Sequence, residues 1–262
     1  HRGLRSRRRA RPPATDTSPY GDSISVNLDE PPAQLAARTA LASAMQRLGH
    51  SLVARQVDTD LAVELAEVAE RYTSTVQRGA PRDRATEMLS SPRVTAALNG
   101  KRAIIDDGAE IDLFRDSFVA GRTNPMGIGV RVVRTGDTAV ATTTLGPAFE
   151  GAPGRAHGGA VGAILDETMG YLLPIIGEMA YTANLSIDYI APAPLGVEVS
   201  FTARLRDRAD RKLWIEAVGE SADGVFVRAE ALFLTVDLSR FTNASAEGDS
   251  VNAADAQAVE LP

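Results

Sequence analysis

Residues 149–173 read FEGAPGRAHGGAVGAILDETMGYLL and determine how the rest of this 262-residue chain is interpreted. His157, one of three histidines in the chain, is followed by Gly158, Gly159 and a strongly apolar run that contains Asp166. The apolar side chains of this run surround most of a helix: Val161, Ile164, Leu165, Met169, Leu172, Leu173, Ile175 and Ile176. A helix that is apolar on nearly all sides is buried in the protein core. The sequence therefore predicts a central buried helix from about Gly158 to Ile176.

Alternating apolar and polar runs on both sides of this helix predict antiparallel strands. Upstream, residues 127–134 and 138–145 flank a Thr-Gly-Asp turn and predict a hairpin. Downstream, four further runs with turn residues between them cover 181–190, 197–207, 213–219 and 225–236. Pro174 and Gly177 are expected to kink or end the helix before the first of these runs. One buried helix between consecutive strands predicts an α+β fold, in which a curved antiparallel sheet wraps around the helix.

The two ends of the chain have compositions typical of disordered tails, and the predicted α+β domain lies between them at residues 104–238. Residues 1–32 combine five prolines with six arginines, namely Arg2, Arg5, Arg7, Arg8, Arg9 and Arg11. Residues 239–262 are rich in Ala, Asp, Ser and Glu without periodicity. Neither segment has enough apolar surface to offset the entropy lost on ordering. An alternative role for the basic cluster is binding to nucleic acid or anionic lipid.

Residues 33–103 predict a helical N-terminal region. A first helix covers residues 33–48 and is expected to end at Gly49. A second is capped by Asp58 or Thr59 and carries the apolar stripe Leu61, Leu65, Val68 and Tyr72. Shorter helices are expected at 83–89 and 92–98. We expect this region to pack on the core of the domain with a structural or partner-binding role.

The composition excludes several kinds of function. The chain has no cysteine, which rules out disulfides, thiolate metal ligands and cysteine nucleophiles. The three histidines lie far apart and lack metal-ligand spacing, so no zinc site is expected. A net charge of −6 argues against nucleic acid as the partner of the whole protein. No apolar run reaches the roughly 18 residues of a membrane span. The N-terminal arginines are not followed by the apolar segment of a secretory signal. A cytoplasmic protein is therefore expected.

Asp166 and the glycines at the helix start have the properties of an acyl-transfer site. A buried carboxylate must be paired, neutral or open to a cavity. Three of the four helical neighbours of Asp166 are very small, namely Gly162, Ala163 and Gly170. The first N–H groups of a helix are unpaired and lie at the positive end of its dipole. Glycine lets a ligand approach such groups closely, and an N–H aimed at a thioester or ester oxygen forms an oxyanion hole.

The spacing of these groups predicts a dimer. Gly158 and Asp166 are eight residues apart, which corresponds to about 12 Å along one helix. One carbonyl group cannot lie about 3 Å from both. If both groups act on the same carbonyl, two copies of the helix must lie side by side and antiparallel. We therefore expect a two-fold dimer with two composite sites.

Four ordered motifs resemble a known family. The order E-G-x-P-G-x-x-H-G-G-A at residues 150–160, with Asp166 nine residues after His157, resembles the hotdog-fold acyl-CoA thioesterases. The similarity is to the branch of the phenylacetate-pathway thioesterase and the mammalian thioesterase superfamily members. TANLSIDYIAPAPL at 182–195, Arg-Lys at 211–212 and GRTNP at 121–125 resemble further motifs, the last in actinobacterial relatives. The resemblance covers about residues 119–237. The sequence departs from some relatives at Gly151, where they have an asparagine that assists the carbonyl.

The resemblance implies a homodimer or dimer of dimers that hydrolyses an acyl-CoA thioester in fatty acid metabolism. Neither a metal nor a redox cofactor is implied, because coenzyme A is part of the substrate. Asp166 would act as general base or nucleophile, and the amide of Gly158, with or without that of Gly159, would polarise the carbonyl. His157 would shape the turn, and Thr182 would hold the water or the carboxylate. The coenzyme A arm would contact Asp188, Ile190, Arg211, Lys212, Leu213, Trp214, Ile215 and Glu216, where the basic pair suits a phosphate.

Other interpretations stay open at this stage. A non-catalytic acyl-CoA-binding or regulatory protein could have the same fold. A hotdog hydratase is disfavoured because that branch pairs an Asp with a later His, and no histidine follows His157. Thr182, Asn184, Ser186 and Asp188 alternate along a strand and are predicted to share one face, which lies toward either substrate or solvent.

Overall fold

The computed structural model of the chain describes residues 30–83 and 105–236. Within these residues the helices are α1 (Pro32–Ala54), α2 (Thr59–Val76) and α3 (Gly158–Ile175), and a short 3-10 helix, η1 (Pro147–Phe149), precedes α3. The strands are β1 (Arg131–Thr135), β2 (Thr138–Thr144), β3 (Ala180–Tyr189), β4 (Glu198–Ala209), β5 (Lys212–Ser221) and β6 (Gly224–Thr235).

The six strands form one antiparallel sheet in the order β1-β2-β4-β5-β6-β3. Helix α3 packs across this sheet and contacts β2, β3, β4 and β5. The helix contributes several fully buried side chains to the core, among them Val161, Ile164, Leu165, Met169 and Leu172. The predicted α+β architecture, one buried helix against an antiparallel sheet, is therefore confirmed.

Strand β3 lies at one edge of the sheet. It pairs with β6 on one side, and no strand of the described residues pairs with its other side. Two of its large side chains are exposed: Tyr181 is 65% and Tyr189 52% accessible. A ten-residue edge of this kind leaves a row of backbone N–H and C=O groups available for pairing with another chain.

The first predicted strand is shorter than expected. It was placed at residues 127–134, but β1 begins at Arg131. The N–H groups of Ile128, Gly129 and Val130 donate instead to the carbonyls of Phe118 and Val119. Gly129 also has a φ of 80°, which is outside the strand region. This segment is therefore held by the preceding loop rather than by a strand.

Helix α1 does not end at Gly49, so that part of the prediction is wrong. The helix continues to Ala54, and Gly49 has no positive φ of the kind that ends a helix. The turn after Gly49 is held from outside, because the His50 imidazole packs edge-to-face on Phe149 of η1. A tertiary contact thus extends the helix past its expected stop.

Helix α2 begins as predicted but packs differently. Asp58 caps it, accepting a hydrogen bond from the Leu61 N–H at 2.9 Å. Its apolar stripe was expected to pack on the core, but none of its residues is buried and Tyr72 is 61% exposed. Among the described residues, helix α1 meets that expectation through its contact with η1. For helix α2 the expectation is wrong. The helix expected at 92–98 and nearly all of the one at 83–89 lie outside the described residues, as do 1–29 and 239–262 of the predicted tails.

Candidate active site

His157 forms the N-terminal cap of helix α3. Its backbone is extended, with φ −66° and ψ 131°, and its Nδ1 accepts a hydrogen bond from the Gly159 N–H at 2.9 Å. Its own N–H donates to the carbonyl of Phe149 at 2.8 Å. No described residue accepts a hydrogen bond from the N–H of Gly158. The Gly159 amide is thus occupied by the cap. The Gly158 amide has no hydrogen-bond partner among the described residues.

The loop before the cap is held by its own backbone. Glu150 forms an antiparallel bridge with Ala156, and its carboxylate accepts the Gly154 N–H at 2.6 Å. A Cβ atom added at Gly151 would lie 2.8 Å from the Cα of His157, which is too close for any side chain. The asparagine that some relatives have at this position cannot be accommodated in this loop geometry.

Tyr189 at the end of β3 also contacts the start of α3, a contact that the sequence analysis missed. Its hydroxyl donates to the carbonyl of Gly158 at 2.7 Å. A Cβ atom added at Gly158 would lie 3.3 Å from the Tyr189 ring. The tyrosine therefore fixes the first turn of the helix and explains why glycine suits this position. Tyr189 belongs to the strand motif that resembles the family, so its position carried a signal, but nothing in the sequence pointed to its partner.

Asp166 lies two turns further along α3, where Thr182 of β3 donates a hydrogen bond to its Oδ1 at 2.8 Å. The carboxylate is only half-buried. An added Cβ atom at Gly162 would lie 3.1 Å from the Ile187 side chain, whereas at Gly170 it would have no atom within 4 Å. The small residues beside Asp166 therefore lie in two different environments. One admits a closely packed strand, and the other leaves open space next to the carboxylate.

A β-bulge in β3 directs Thr182 toward Asp166. The register of β3 against β6 shifts between Thr182 and Asn184. Beyond the bulge, Leu185 and Ile187 pack toward the core, so Ser186 and Asp188 lie on the opposite face. The prediction that Thr182 shares a face with Asn184, Ser186 and Asp188 is wrong. The extra residue of the bulge turns the Thr182 side chain to the opposite face of the strand.

Glu167 occupies the other side of α3, against the loop of residues 112–124 (the 112–124 loop). Ser117 of this loop donates a hydrogen bond to Glu167 Oε1 at 2.5 Å. Burial raises the pKa of the Glu167 carboxyl, hydrogen bonds from Ser117 and the Ala120 N–H oppose the rise, and the Asp166 charge adds to it. Burial also raises the pKa of Tyr171, one turn later. This face of the helix is closed by the loop.

The residues expected to bind the coenzyme A arm lie in several environments. Leu213 and Ile215 are 0% and 1% exposed, so their side chains belong to the core and cannot contact a ligand from the surface. Trp214 and Glu216 lie on the other face of β5 and are half-buried, and Glu216 forms an ion pair with Arg204. Arg211, in the turn before β5, donates to the Thr235 carbonyl at 3.0 Å. The exposed candidates are Asp188, Ile190, Arg211 and Lys212.

Neither a metal centre nor a membrane span is found in the described part of the chain. Across residues 30–83 and 105–236, no three His, Cys, Asp or Glu side chains are grouped so as to bind a metal ion. Among the helices described there, none is both long and apolar enough to cross a bilayer.

Comparison with known proteins shows what this domain is similar to. Residues 153–225, which include α3 and the start of β6, match the family described as the thioesterase superfamily. A crystal structure of a thioesterase superfamily protein has a TM-score of 0.62 and 24% identity, and the alignment covers 84% of this chain and 98% of that one. The sheet and its central helix therefore form a hotdog fold. Residues 153–225 of this hotdog domain thus resemble the thioesterase superfamily.

Two relatives named as acyl-coenzyme A thioesterases each match about a third of this chain. Acyl-coenzyme A thioesterase THEM5 of Mus musculus is 33% identical over 95 residues, which is 36% of this chain and 38% of the relative. Acyl-coenzyme A thioesterase THEM4 of Mus musculus is 37% identical over 91 residues, 34% of this chain and 39% of the relative. This chain thus aligns with well under half the length of these two proteins.

Proposed function

We propose that this chain hydrolyses an acyl-CoA thioester to a free carboxylic acid and coenzyme A at two composite sites in a homodimer. The observation that carries the proposal is the arrangement on helix α3. Asp166 is half-buried and held by Thr182, while the N–H of Gly158, eight residues earlier, lacks a partner among the described residues. The two relatives above are named as acyl-coenzyme A thioesterases, which supports the substrate class.

In this proposal Asp166 supplies the base or the nucleophile. As a base, it takes a proton from water while the water oxygen attacks the thioester carbon. As a nucleophile, its carboxylate attacks the same carbon and forms an anhydride that water then cleaves. In both routes the C–S bond breaks, and the coenzyme A thiolate leaves and takes up a proton. The Thr182 hydroxyl, 2.8 Å from Asp166 Oδ1, orients the carboxylate in either case.

The N–H of Gly158 stabilises the oxyanion that forms on the carbonyl oxygen. It lies at the positive end of the α3 dipole, and the glycine has no Cβ atom to block a ligand. His157 prepares this donor by accepting the Gly159 N–H, which fixes the first turn and leaves Gly158 as the donor in this proposal. Tyr189 holds the carbonyl of the same residue and thereby orients its peptide plane.

Two chains are required because Gly158 and Asp166 lie about 12 Å apart along one helix. Strand β3 provides the means of association in this proposal, since its outer edge has no partner strand among the described residues and the strand carries the exposed side chains Tyr181 and Tyr189. Pairing of two β3 edges around a two-fold axis would extend the sheet and bring two α3 helices side by side and antiparallel. Each carboxylate then faces the helix start of the partner.

The exposed basic residues at the β4–β5 turn fit the phosphate-bearing arm of the substrate. Lys212 has no ion-pair partner among residues 30–83 and 105–236, and Arg211 uses part of its guanidinium on the Thr235 carbonyl. We assign the arm to Arg211, Lys212, Asp188 and Ile190, with Trp214 and Glu216 beside them. Leu213 and Ile215 are left out because their side chains lie in the core.

A thiol-release assay on a panel of acyl-CoA esters tests the activity. We expect the wild-type protein to release coenzyme A from at least one acyl class, and Asp166→Asn to abolish most of this release without loss of folded protein. Binding of acyl-CoA by calorimetry without release of thiol would instead establish the non-catalytic alternative. Full activity of Asp166→Asn would show that another group does the chemistry.

Mixed dimers test the composite site. Proline at Gly158 removes the N–H and is compatible with the first helical position, and His157 already has the extended backbone that a following proline needs. An Asp166→Asn chain and a Gly158→Pro chain, purified together through different tags, share one site with both changes and one with neither. We expect such heterodimers to regain about half of the wild-type rate. If both groups acted within one chain, the mixture would stay as inactive as its parents.

A further inference from the structure

Helix α1 contacts two segments that hold helix α3, namely η1 and the 112–124 loop. Near its C-terminal end, His50 contacts η1, which leads into the loop that ends at His157. Nearer its start, Arg38 donates to Asp116 at 2.7 Å, and Gln46 donates to the carbonyl of Asn124 at 2.9 Å. These two contacts hold the 112–124 loop, which in turn contacts α3. One helix outside the sheet thus touches the supports of both ends of the candidate site.

The contact made by His50 is specific in both shape and hydrogen bonding. Its Nδ1 accepts the N–H of Ala148 at 3.1 Å, and its ring lies 5.2 Å from the Phe149 ring in an edge-to-face arrangement. A Cβ atom added at Gly146 would lie 2.7 Å from His50 Nδ1. The imidazole is therefore pressed against a glycine, and only the neutral tautomer with its proton on Nε2 can accept this N–H.

A short series of hydrogen bonds connects this contact with the proposed oxyanion donor. The Phe149 N–H donates to the Gly146 carbonyl at 3.0 Å, which closes η1. The carbonyl of Phe149 accepts the N–H of His157 at 2.8 Å. His157 Nδ1 then accepts the Gly159 N–H at 2.9 Å. Each step fixes a backbone carbonyl or N–H, so a shift of η1 would turn the first peptide planes of α3.

We propose that His50 is a positioning residue for hydrolysis, which gives helix α1 a role in the active site that it does not touch. The inference rests on the function proposed above. His50 holds η1, and η1 holds the backbone of His157, so the Gly158 N–H points to the place where the oxyanion forms. Misplacement of a catalytic group by about 1 Å costs up to 10²-fold in rate, which makes such a support measurable.

Paired substitutions separate the hydrogen bond from the ring. His50→Phe keeps an aromatic ring against Phe149 and removes the acceptor, whereas His50→Asn keeps an acceptor near the Nδ1 position and removes the ring. We expect the Phe variant to lower kcat about 10-fold with KM within about twofold, and the Asn variant to retain most of kcat. Ser51→Ala, which changes only a hydroxyl bonded back to the Arg47 carbonyl, is the matched control and should leave the rate unchanged.

Gly146→Ala tests the same support from the other side. The backbone at Gly146 has φ −92°, which any residue can adopt, and the three atoms nearest to the new methyl group all belong to the His50 ring. We expect this variant to lower kcat in the same way as His50→Phe. In a His50→Ala background the clash disappears, and Gly146→Ala should then add no further loss. Non-additivity of this kind is the sign of a direct coupling between the two positions.

Amide hydrogen exchange gives a readout that does not depend on activity. In His50→Phe and Gly146→Ala, we expect faster exchange in peptides covering residues 146–160, with thermal unfolding close to that of the wild type. Equal kcat values in all variants with unchanged exchange would overturn the positioning role while leaving hydrolysis by the wild-type protein intact. An equal loss in the Asn and Phe variants with a lowered Tm would also overturn it, because it would show only a structural contact. Absence of hydrolysis by the wild type would instead refute the proposed function.

Discussion

The side of helix α3 that faces strand β3 and the side that faces the 112–124 loop carry neighbouring carboxylates in different surroundings. Asp166 accepts a hydrogen bond from Thr182 at 2.8 Å and lies beside open space at Gly170. Glu167 accepts one from Ser117 at 2.5 Å and is covered by the loop. Burial raises the pKa of Glu167, while hydrogen bonds from the loop oppose the rise.

The difference shows that access, rather than residue type, separates the two acids. Both are carboxylates on the same helix, and each accepts a hydrogen bond from a hydroxyl. Asp166 faces the edge strand β3, whereas Glu167 faces the 112–124 loop, so in our proposal Asp166 is the acid that meets the substrate and the partner chain. Glu167 accepts hydrogen bonds from Ser117 and the Ala120 N–H of the loop, and in our proposal it does not reach the thioester. We call the side of α3 with Gly158 and Asp166 the reactive face and the side with Glu167 the supporting face. The following predictions test this division.

The largest effect is expected from neutralising each acid in turn. Asp166→Asn should lower kcat by about 10²- to 10⁴-fold, the range typical for loss of a general base. Glu167→Gln, which keeps the size of the side chain, should change kcat by less than about threefold because the group does not reach the substrate. Steady-state thiol release measures both. A larger loss in Glu167→Gln than in Asp166→Asn would reverse the roles assigned to the two faces.

The start of the reactive face should give the next largest effect. Gly158→Pro removes the proposed oxyanion donor and should lower kcat about 10²-fold, as loss of one such donor does in other enzymes. Gly158→Ala keeps the N–H and adds a methyl group that meets the Tyr189 ring at 3.3 Å, so it should cost far less. Comparing the two variants isolates the N–H from the crowding. Similar losses in both would mean that crowding alone explains the effect.

Much of this fold could be predicted because its signals are local. Helix α3 is apolar on nearly all sides, and its start at Gly158 is marked by the cap residue before it. The downstream strands follow alternation and turn residues, as with Asp210, whose φ of 49° lies in the turn between β4 and β5. Where the pattern failed, at Gly49 and residues 127–130, contacts with distant segments determine the backbone.

The site could be predicted only in part for the same reason. Asp166 and Gly158 stand out because their residue types are unusual in such a helix. The bulge that turns Thr182 inward depends on the register of β3 against β6, which alternation cannot give. Tyr189, Ser117 and His50 act through partners that lie 31, 50 and 98 residues away in sequence. No local pattern encodes such pairs.

Thr182 tests whether the bulge matters for the reactive face. Thr182→Val keeps the shape of the side chain and removes the hydrogen bond to Asp166, so we expect kcat to fall about 10-fold, the scale of one hydrogen bond to a charged group. Thr182→Ser keeps the hydroxyl and should retain most of the rate. Thiol release with a saturating acyl-CoA measures the difference. Equal rates for Val and Ser would place the Thr182 hydroxyl outside the reaction, despite its 2.8 Å contact.

The smallest expected effect concerns the supporting face and appears in stability rather than in rate. Because burial raises the pKa of Glu167 above its ordinary value of 4.5, the folded state holds the proton at pH values where the unfolded chain has lost it. Its contribution to stability is full below pH 4.5 and is lost as the pH rises through the folded-state pKa. Glu167→Gln should therefore lose less stability than the wild type between pH 4.5 and neutrality, as measured by urea unfolding.

Asp116, in the same loop, provides a control of opposite sign. Its burial would raise the pKa, but hydrogen bonds from Thr123 and Arg82 and the charges of Arg82 and Arg38 lower it below the ordinary 3.8. Its contribution to stability is present above pH 3.8 and is lost as the pH falls through the folded-state pKa. In a plot of the free energy of unfolding against pH, Asp116→Asn should therefore flatten the acid side. Glu167→Gln should flatten the other side. Parallel curves for Glu167→Gln and the wild type would mean that Glu167 ionises without penalty, and the contrast between the two faces of α3 would then rest on access alone.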